Sequence, residues 1–455
     1  MSSLPPAIAV GALYDTFLQN ALRQFFSRAT FEAEPMLSAS SDGRLAIEPS
    51  DDPCALTIRW FGTRYTLRVP AHRPFTVHET RFARAIGSVL AARYRAILHP
   101  KLMVERGELF RGAIEDRYVG AFLDEEIYAT GDREPRADRI AQAIEVLRVA
   151  ALSSYENRPI STGVLLLESD GTPPAPDRAP VDESLGFTQA LTRVKSFFRL
   201  VDGVRTLFLV GRSGVLLDIV DVEHWAAQVT GRRPLPAPCP ATYQAHALAT
   251  LDNRHVAIVL SPSHEIKVFA GGAQALAYRH ASWTLLDLQR KYELWADAVG
   301  NPALAQCLFS SALDLADARH GALFVVLRDP EASVAHLVGA ADRLDLAVTA
   351  SDPATGPTRR DLLSVLTGRR VTDLDPTVLA ALASLDGATV IDREGTLIAV
   401  GAILRHFSGE PMPESGIVEG ARTTAAMSAS RFGPVLKISE DGGITFFDRV
   451  RVWDM

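Results

Sequence analysis

The chain has 455 residues, more than one compact core accommodates, so two or three domains are expected. With 47% apolar and 22% charged residues it has the composition of a soluble globular protein, and its net charge of -7 argues against a general nucleic-acid binder. Three widely spaced cysteines (Cys54, Cys239 and Cys307) argue against a disulfide framework and for a reducing compartment. No apolar run reaches bilayer-spanning length, and Met1-Ser2-Ser3-Leu4-Pro5-Pro6 lacks the pattern of a signal peptide. The expectation is a cytoplasmic protein with no membrane or nucleic-acid partner.

Helical spacing of Ile8, Leu13, Phe17, Leu22 and Phe26 predicts a first helix over 8–28. Alternating segments over 44–70, with a turn at Gly62-Thr63, read as paired strands, and 77–97 returns to a helix. Asp124-Glu125-Glu126 lacks a metal-ligand spacing and reads as surface. A strand over 160–168 leads to a proline-rich, acidic loop or linker over 169–186. Helix, strand, turn and strand follow over 188–225, then a loop with four prolines over 232–240. Strands are expected at 255–260, 265–270 and near 275–279, and Ala281 to Trp295 reads as a connecting helix. The predicted parts are an α+β region over 1–170, a second α+β part over 187–282, and a third domain over 296–455.

The third domain reads as α/β, a mixed central sheet flanked by helices. Asn301-Pro302 is a strong helix start, and that helix ends at Arg319-His320-Gly321. Ala322 to Leu327 is a buried strand. Thr358 and Asp375-Pro376 open two further helices. Strands are predicted at 388–392, 396–404, 434–439 and 443–447, with a loop and helix over 420–431.

Three features of this domain carry candidate chemistry. Asp386-Gly387-Ala388 is a tight bend that leaves a carboxylate at a strand start. Glu419-Gly420-Ala421-Arg422-Thr423-Thr424-Ala425-Ala426 reads as a glycine loop opening onto a short helix, with backbone N–H groups favouring an anion. Ser439-Glu440-Asp441 precedes the closing strand. Each lies at a strand end, where α/β sheets place ligands. Mg2+ or Mn2+ would bridge a carboxylate and phosphates there, and Arg422 offers a forked phosphate donor. Glu440 reads equally as a metal ligand or as an exposed strand-end acid. The chain shows no Gly-x-Ser-x-Gly elbow, no His-Glu-x-x-His and no Walker-type loop.

Residues 301–447 resemble the diadenylate cyclase (DAC) domain family. The resemblance rests on Arg319-His320-Gly321-Ala322-Leu323 with the apolar strand after it, on Asp386-Gly387-Ala388, on Gly420 to Ala426, and on Ser439-Glu440-Asp441, in that order. The region before it is similar, more distantly, to N-terminal sensor regions fused to some DAC domains. The resemblance implies condensation of two ATP into cyclic di-AMP with release of two pyrophosphates, in a face-to-face homodimer of the C-terminal domains. It implies Asp386 and Arg422 as catalytic residues and Asp386 and Glu440 as ligands of Mg2+ or Mn2+. Gly387, Ala388, Leu404, Gly420, Ala421, Arg422, Thr423, Thr424 and Ala425 would bind the nucleotide.

Two departures stand against the family pattern. Thr423 and Thr424 occupy the positions of a histidine and an arginine, and Arg405 follows Leu404 where the family has proline. A charge-assisted hydrogen bond contributes about 1.5–3 kcal/mol, so losing one or two costs roughly ten- to ten-thousandfold in rate if the loss falls on the transition state. The alternative function is therefore a catalytically inactive DAC-like module that senses ATP or a cyclic dinucleotide. The domain-level expectation is the same for both.

Overall fold

A computed structural model describes residues 6–26, 29–36, 45–70, 73–124, 136–155, 158–170, 185–230, 233–344, 359–405 and 420–455. The expected linker over 169–186 lies largely outside these residues, and Thr358 and Glu419 lie outside them altogether. The fold is α/β, with mixed and antiparallel sheets flanked by helices. It divides into two compact units, residues 1–235 with 245–287 and residues 236–244 with 288–455.

In the first unit, an antiparallel sheet orders its strands Thr30–Pro35, Thr63–Arg68, Ala55–Trp60 and Ala46–Pro49. The helices Pro6–Phe25 and Val77–Leu98 meet the predicted spans. The second helix starts in a capping box: Thr76 accepts the Glu79 N–H, and Glu79 reaches back to the Thr76 N–H. A larger sheet runs Ser282–Leu285, Ala273–Arg279, Ile266–Ala270, Val256–Leu260, Thr162–Leu166, Thr206–Val210 and Leu216–Asp221. Its one parallel pair among the described residues joins Thr162–Leu166 to Thr206–Val210.

Two sequence expectations fail in this unit. Ser282–Leu285 is an edge strand rather than the start of a connecting helix, which begins only at Leu288. His280 and Ala281 both take left-handed backbone (φ 49 and 59), which closes the strand tightly on Ala273–Arg279. Asp124 is buried rather than on the surface, and its carboxylate accepts the Ala137 N–H in the first turn of helix Arg136–Ala151.

In the second unit, residues 236–244 are followed by α1 (Leu288–Val299) and α2 (Pro302–Asp317). It continues through β1 (Ala322–Val326), α3 (Pro330–Leu337), α4 (Arg359–Leu363) and α5 (Pro376–Ala383). Then come β2 (Ala388–Ile391), β3 (Leu397–Ala402), α6 (Ala421–Ala429), β4 (Val435–Ile438), β5 (Ile444–Asp448) and β6 (Val450–Asp454). The sheet order is β3-β2-β1-β4-β5-β6, parallel at β1/β2 and antiparallel elsewhere. Asn301 accepts the Leu304 N–H at the start of α2, and Asp375 accepts the Thr377 N–H at the start of α5, as Asn-Pro and Asp-Pro predict.

The two faces of the sheet are packed differently. On one face, Leu323, Val325, Val435 and Phe447 pack with Ala426 and Ala429 of α6. On the other, Trp295 of α1 stands edge-on to Phe446, with ring centroids 5.4 Å apart, and its indole N–H donates to the Ala305 carbonyl. Trp295 is fully buried. Trp295→Ala is expected to cost the second unit about 3–5 kcal/mol. Amide exchange of β4 and β5 under mild denaturant measures this; a loss below about 1 kcal/mol would show that the ring does not anchor α1.

Candidate functional site

Strand register gathers the candidate loops. Phe324 lies opposite Thr389 in the parallel pair, Ala322 opposite Ile438, and Ala388 opposite Ala402. The residues before β1, those before β2, those after β4 and those after β3 therefore share one end of the sheet. This is the amino end of the parallel pair, not the carboxyl end that open α/β sheets usually offer. Here the antiparallel neighbours β3 and β4 contribute their carboxyl ends.

The segment Arg319-His320-Gly321 ties that end together. Arg319 takes left-handed backbone (φ 59) after α2, and its guanidinium donates to the Asp441 carbonyl. His320 places Nδ1 3.4 Å from the Ser384 hydroxyl, two residues before Asp386. Gly321 leaves the space in which the Arg422 guanidinium lies; a Cβ there would overlap it. Arg422 also has Nη1 3.5 Å from Glu440 Oε1. That pair is largely exposed, so it contributes little to stability.

The bend at Asp386-Gly387 has a backbone cause. Gly387 has φ 114, and a Cβ would run into the backbone of Gly401 and Ala402. The close approach of β2 to β3 holds Asp386 at the surface. Its carboxylate has no hydrogen-bond or ion-pair partner among the described residues. Ala388 is buried inside the strand.

At α6, Gly420 is the N-cap and makes no side-chain cap, and the first turn holds no acidic residue. The N–H groups of this end carry partial positive charge, and the helix's own first turn supplies no acid to offset it. Gly420 and Ala421 are exposed, while Thr424 and Ala425 are half-buried. Thr423 is buried, and its hydroxyl accepts a hydrogen bond from Lys437 Nζ at 2.9 Å. Leu404 is also buried, in the cluster with Leu337, Val338, Ala426 and Ala429, so it supports α6 from below. Arg405 turns away to the Ala335 carbonyl of α3.

Two cations at this sheet end were not anticipated from sequence. Lys437 interrupts an otherwise apolar strand, the local signal that could have singled it out. Arg359 donates from Nη2 to the carbonyls of Gly401 at 3.0 Å and Val400 at 3.3 Å. A Cβ on Gly401 would meet both Arg359 and the Asp386 carbonyl, so the three groups crowd one point. No pattern in the sequence links Arg359 to β3. Among the described residues no three His, Cys, Asp or Glu side chains gather as a metal-ligand set. Of the two candidate metal ligands, Asp386 has an open carboxylate among the described residues, whereas Glu440 lies 3.5 Å from Arg422.

No family model matches the sequence, and no curated protein matches it. Solved structures that are similar over part of the chain include the following two. One is a hypothetical membrane-spanning protein from Bacillus cereus, 19% identical over 35% of this chain and 69% of that one, with a TM-score of 0.24. The other is a double cysteine mutant of DacA from Staphylococcus aureus, 17% identical over 32% of this chain and 83% of that one, with a TM-score of 0.21. In this chain no helix among the described residues is long and apolar enough to cross a membrane.

The two glycines of the site separate backbone need from open space. Gly387→Ala is expected to lose about 1–3 kcal/mol through forced backbone strain. Gly420→Ala, with ordinary φ and no described atom near its Cβ, should lose about 1 kcal/mol or less, the preference of a helix N-cap for glycine over alanine. Thermal melts of the two variants check this, and equal shifts would contradict the close approach of β2 and β3.

Proposed function

We propose that the second unit is a DAC-like nucleotidyltransferase that condenses two ATP into cyclic di-AMP, and that the preceding region regulates it as a sensor. The observation that carries this reading is the meeting, at one sheet end, of an open carboxylate at Asp386 with the uncapped start of α6, Arg422 and Glu440. A carboxylate beside an anion-favouring helix start suits phosphoryl transfer, where catalysis is mostly positioning and charge stabilisation.

In this reading the start of α6 and Arg422 hold the triphosphate, and the nucleotide lies along the outer side of the bend at Asp386-Gly387-Ala388. Asp386 would hold the Mg2+ or Mn2+, which would neutralise phosphate charge when bound. The Asp386 carboxylate also stands to take the proton of the ribose 3′-hydroxyl. That oxygen forms a bond to the α-phosphorus of the second ATP, and the bond from this phosphorus to pyrophosphate breaks. The step occurs twice, so two copies of the site must face each other, and a two-fold homodimer supplies them.

A second reading, a sensor that binds ATP or a cyclic dinucleotide without turnover, draws support from Thr423. Its hydroxyl is buried against Lys437, and no charged side chain replaces it within the first turn apart from Arg422.

The test is incubation of the purified chain with ATP and Mn2+ or Mg2+, with products identified by mass spectrometry. Cyclic di-AMP is expected, with Asp386→Asn lowering its formation at least about a hundredfold while ATP affinity changes by about tenfold or less. ATP binding without product across both metals would replace the cyclase with the sensor.

A further inference from the structure

Strand β4 is built from Val435, Leu436, Lys437 and Ile438; the three apolar residues are buried and Lys437 is half-buried. Side chains alternate along a strand, so Lys437 shares its face with Val435, which packs against Ala426 and Ala429 of α6. The lysine lies one step further along that face, toward the end of the sheet where Glu440 follows. Its cross-strand neighbours are Leu323 on β1 and Thr445 on β5. An apolar residue would fill this place without the desolvation and rotamer cost of a half-buried ammonium.

The ammonium is instead directed to the first turn of α6. It donates to the Thr423 hydroxyl at 2.9 Å, and Thr423 is itself buried. The sequence of that turn, Ala421-Arg422-Thr423-Thr424, holds a single charged side chain, and Arg422 shares its charge with Glu440 at 3.5 Å. A full positive charge beneath the turn adds to the partial charge of its N–H groups. In the half-buried setting it is screened less than a surface lysine.

We propose that Lys437 is a positioning residue for the phosphates of the bound nucleotide: anchored through Thr423, it supplies from β4 a second positive charge beside that of Arg422 in the first turn of α6. This rests on the nucleotide-binding reading above and adds to it a residue on a different element. The role predicts an effect that scales with phosphate charge. A lysine that only packed α6 onto the sheet would affect every ligand alike.

The experiment measures equilibrium binding of ATP, AMP and adenosine to the full chain with Mg2+ present, for wild type, Lys437→Met and Lys437→Arg. Lys437→Met is expected to bind ATP about ten- to a hundredfold more weakly, AMP less affected, and adenosine within about twofold. Lys437→Arg should recover most of the ATP affinity, and the salt dependence of ATP binding should be shallower for the methionine variant. Lys437→Gln removes the charge but keeps a donor for Thr423, and gives the same comparison should the methionine variant not fold. Unchanged ATP affinity overturns the proposal and leaves the nucleotide-binding reading intact. Equal losses for ATP and adenosine also overturn it, marking the lysine as a packing residue. A wild-type chain that binds none of the three removes the reading and the proposal together.

Discussion

The candidate site depends on an absent side chain. Gly321, at the start of β1, leaves the space that the Arg422 guanidinium occupies, and so brings the first turn of α6 against the sheet end. Its neighbour Arg319 reaches the other way, to the Asp441 carbonyl after β4. His320 lies beside Ser384 in the approach to Asp386. Three consecutive residues thus contact the three loops that carry the candidate chemistry. None of these contacts is worth much individually, since exposed ion pairs and single hydrogen bonds contribute about 1 kcal/mol each. Their value is positional: they fix where a carboxylate and a positively polarised helix start sit on a common sheet end.

The sheet beneath supplies the rigidity. Gly387 and Gly401 allow β2 and β3 to approach more closely than side chains would permit, and Arg359 clasps the end of β3 through two carbonyls. Apolar packing of Val435, Leu404, Ala426 and Ala429 holds α6 in place from below. The charged groups are then left at the surface, where hydration keeps them inexpensive until a ligand covers them. Asp386 and Arg422 lie at the same sheet end, and the half-buried Lys437 reaches the first turn of α6 from beneath.

Much of this was legible in the sequence, for identifiable reasons. Asn301-Pro302 and Asp375-Pro376 cap helices because side-chain oxygen and fixed φ act locally. Strands β1, β2, β3, β4 and β5 are apolar runs buried on both faces, and such runs declare themselves. Edge strands that are mostly exposed or that hang on an unusual turn do not. Thr30–Pro35 is mostly exposed and carries two glutamates; its identity comes from pairing with Thr63–Arg68. Ser282–Leu285 depends on left-handed backbone at His280 and Ala281, which neither residue type advertises. Of the site, Asp386 and the start of α6 were visible as local turn chemistry. Lys437 and Arg359 were not assigned to it, because each arrives through register or tertiary contact over a long stretch of chain. Leu404 shows the converse: adjacent to β3 and expected at the nucleotide, it is buried under α6.

In the proposed function, segments 384–388, 420–426 and 437–441 form one nucleotide site. Hydrogen–deuterium exchange of the full chain, with and without ATP and Mn2+, tests it most directly. The account predicts that ATP slows exchange in all three loops together, with the first turn of α6 protected because its N–H groups meet phosphate. Protection at one of these loops alone, or only in residues before 288, would contradict it.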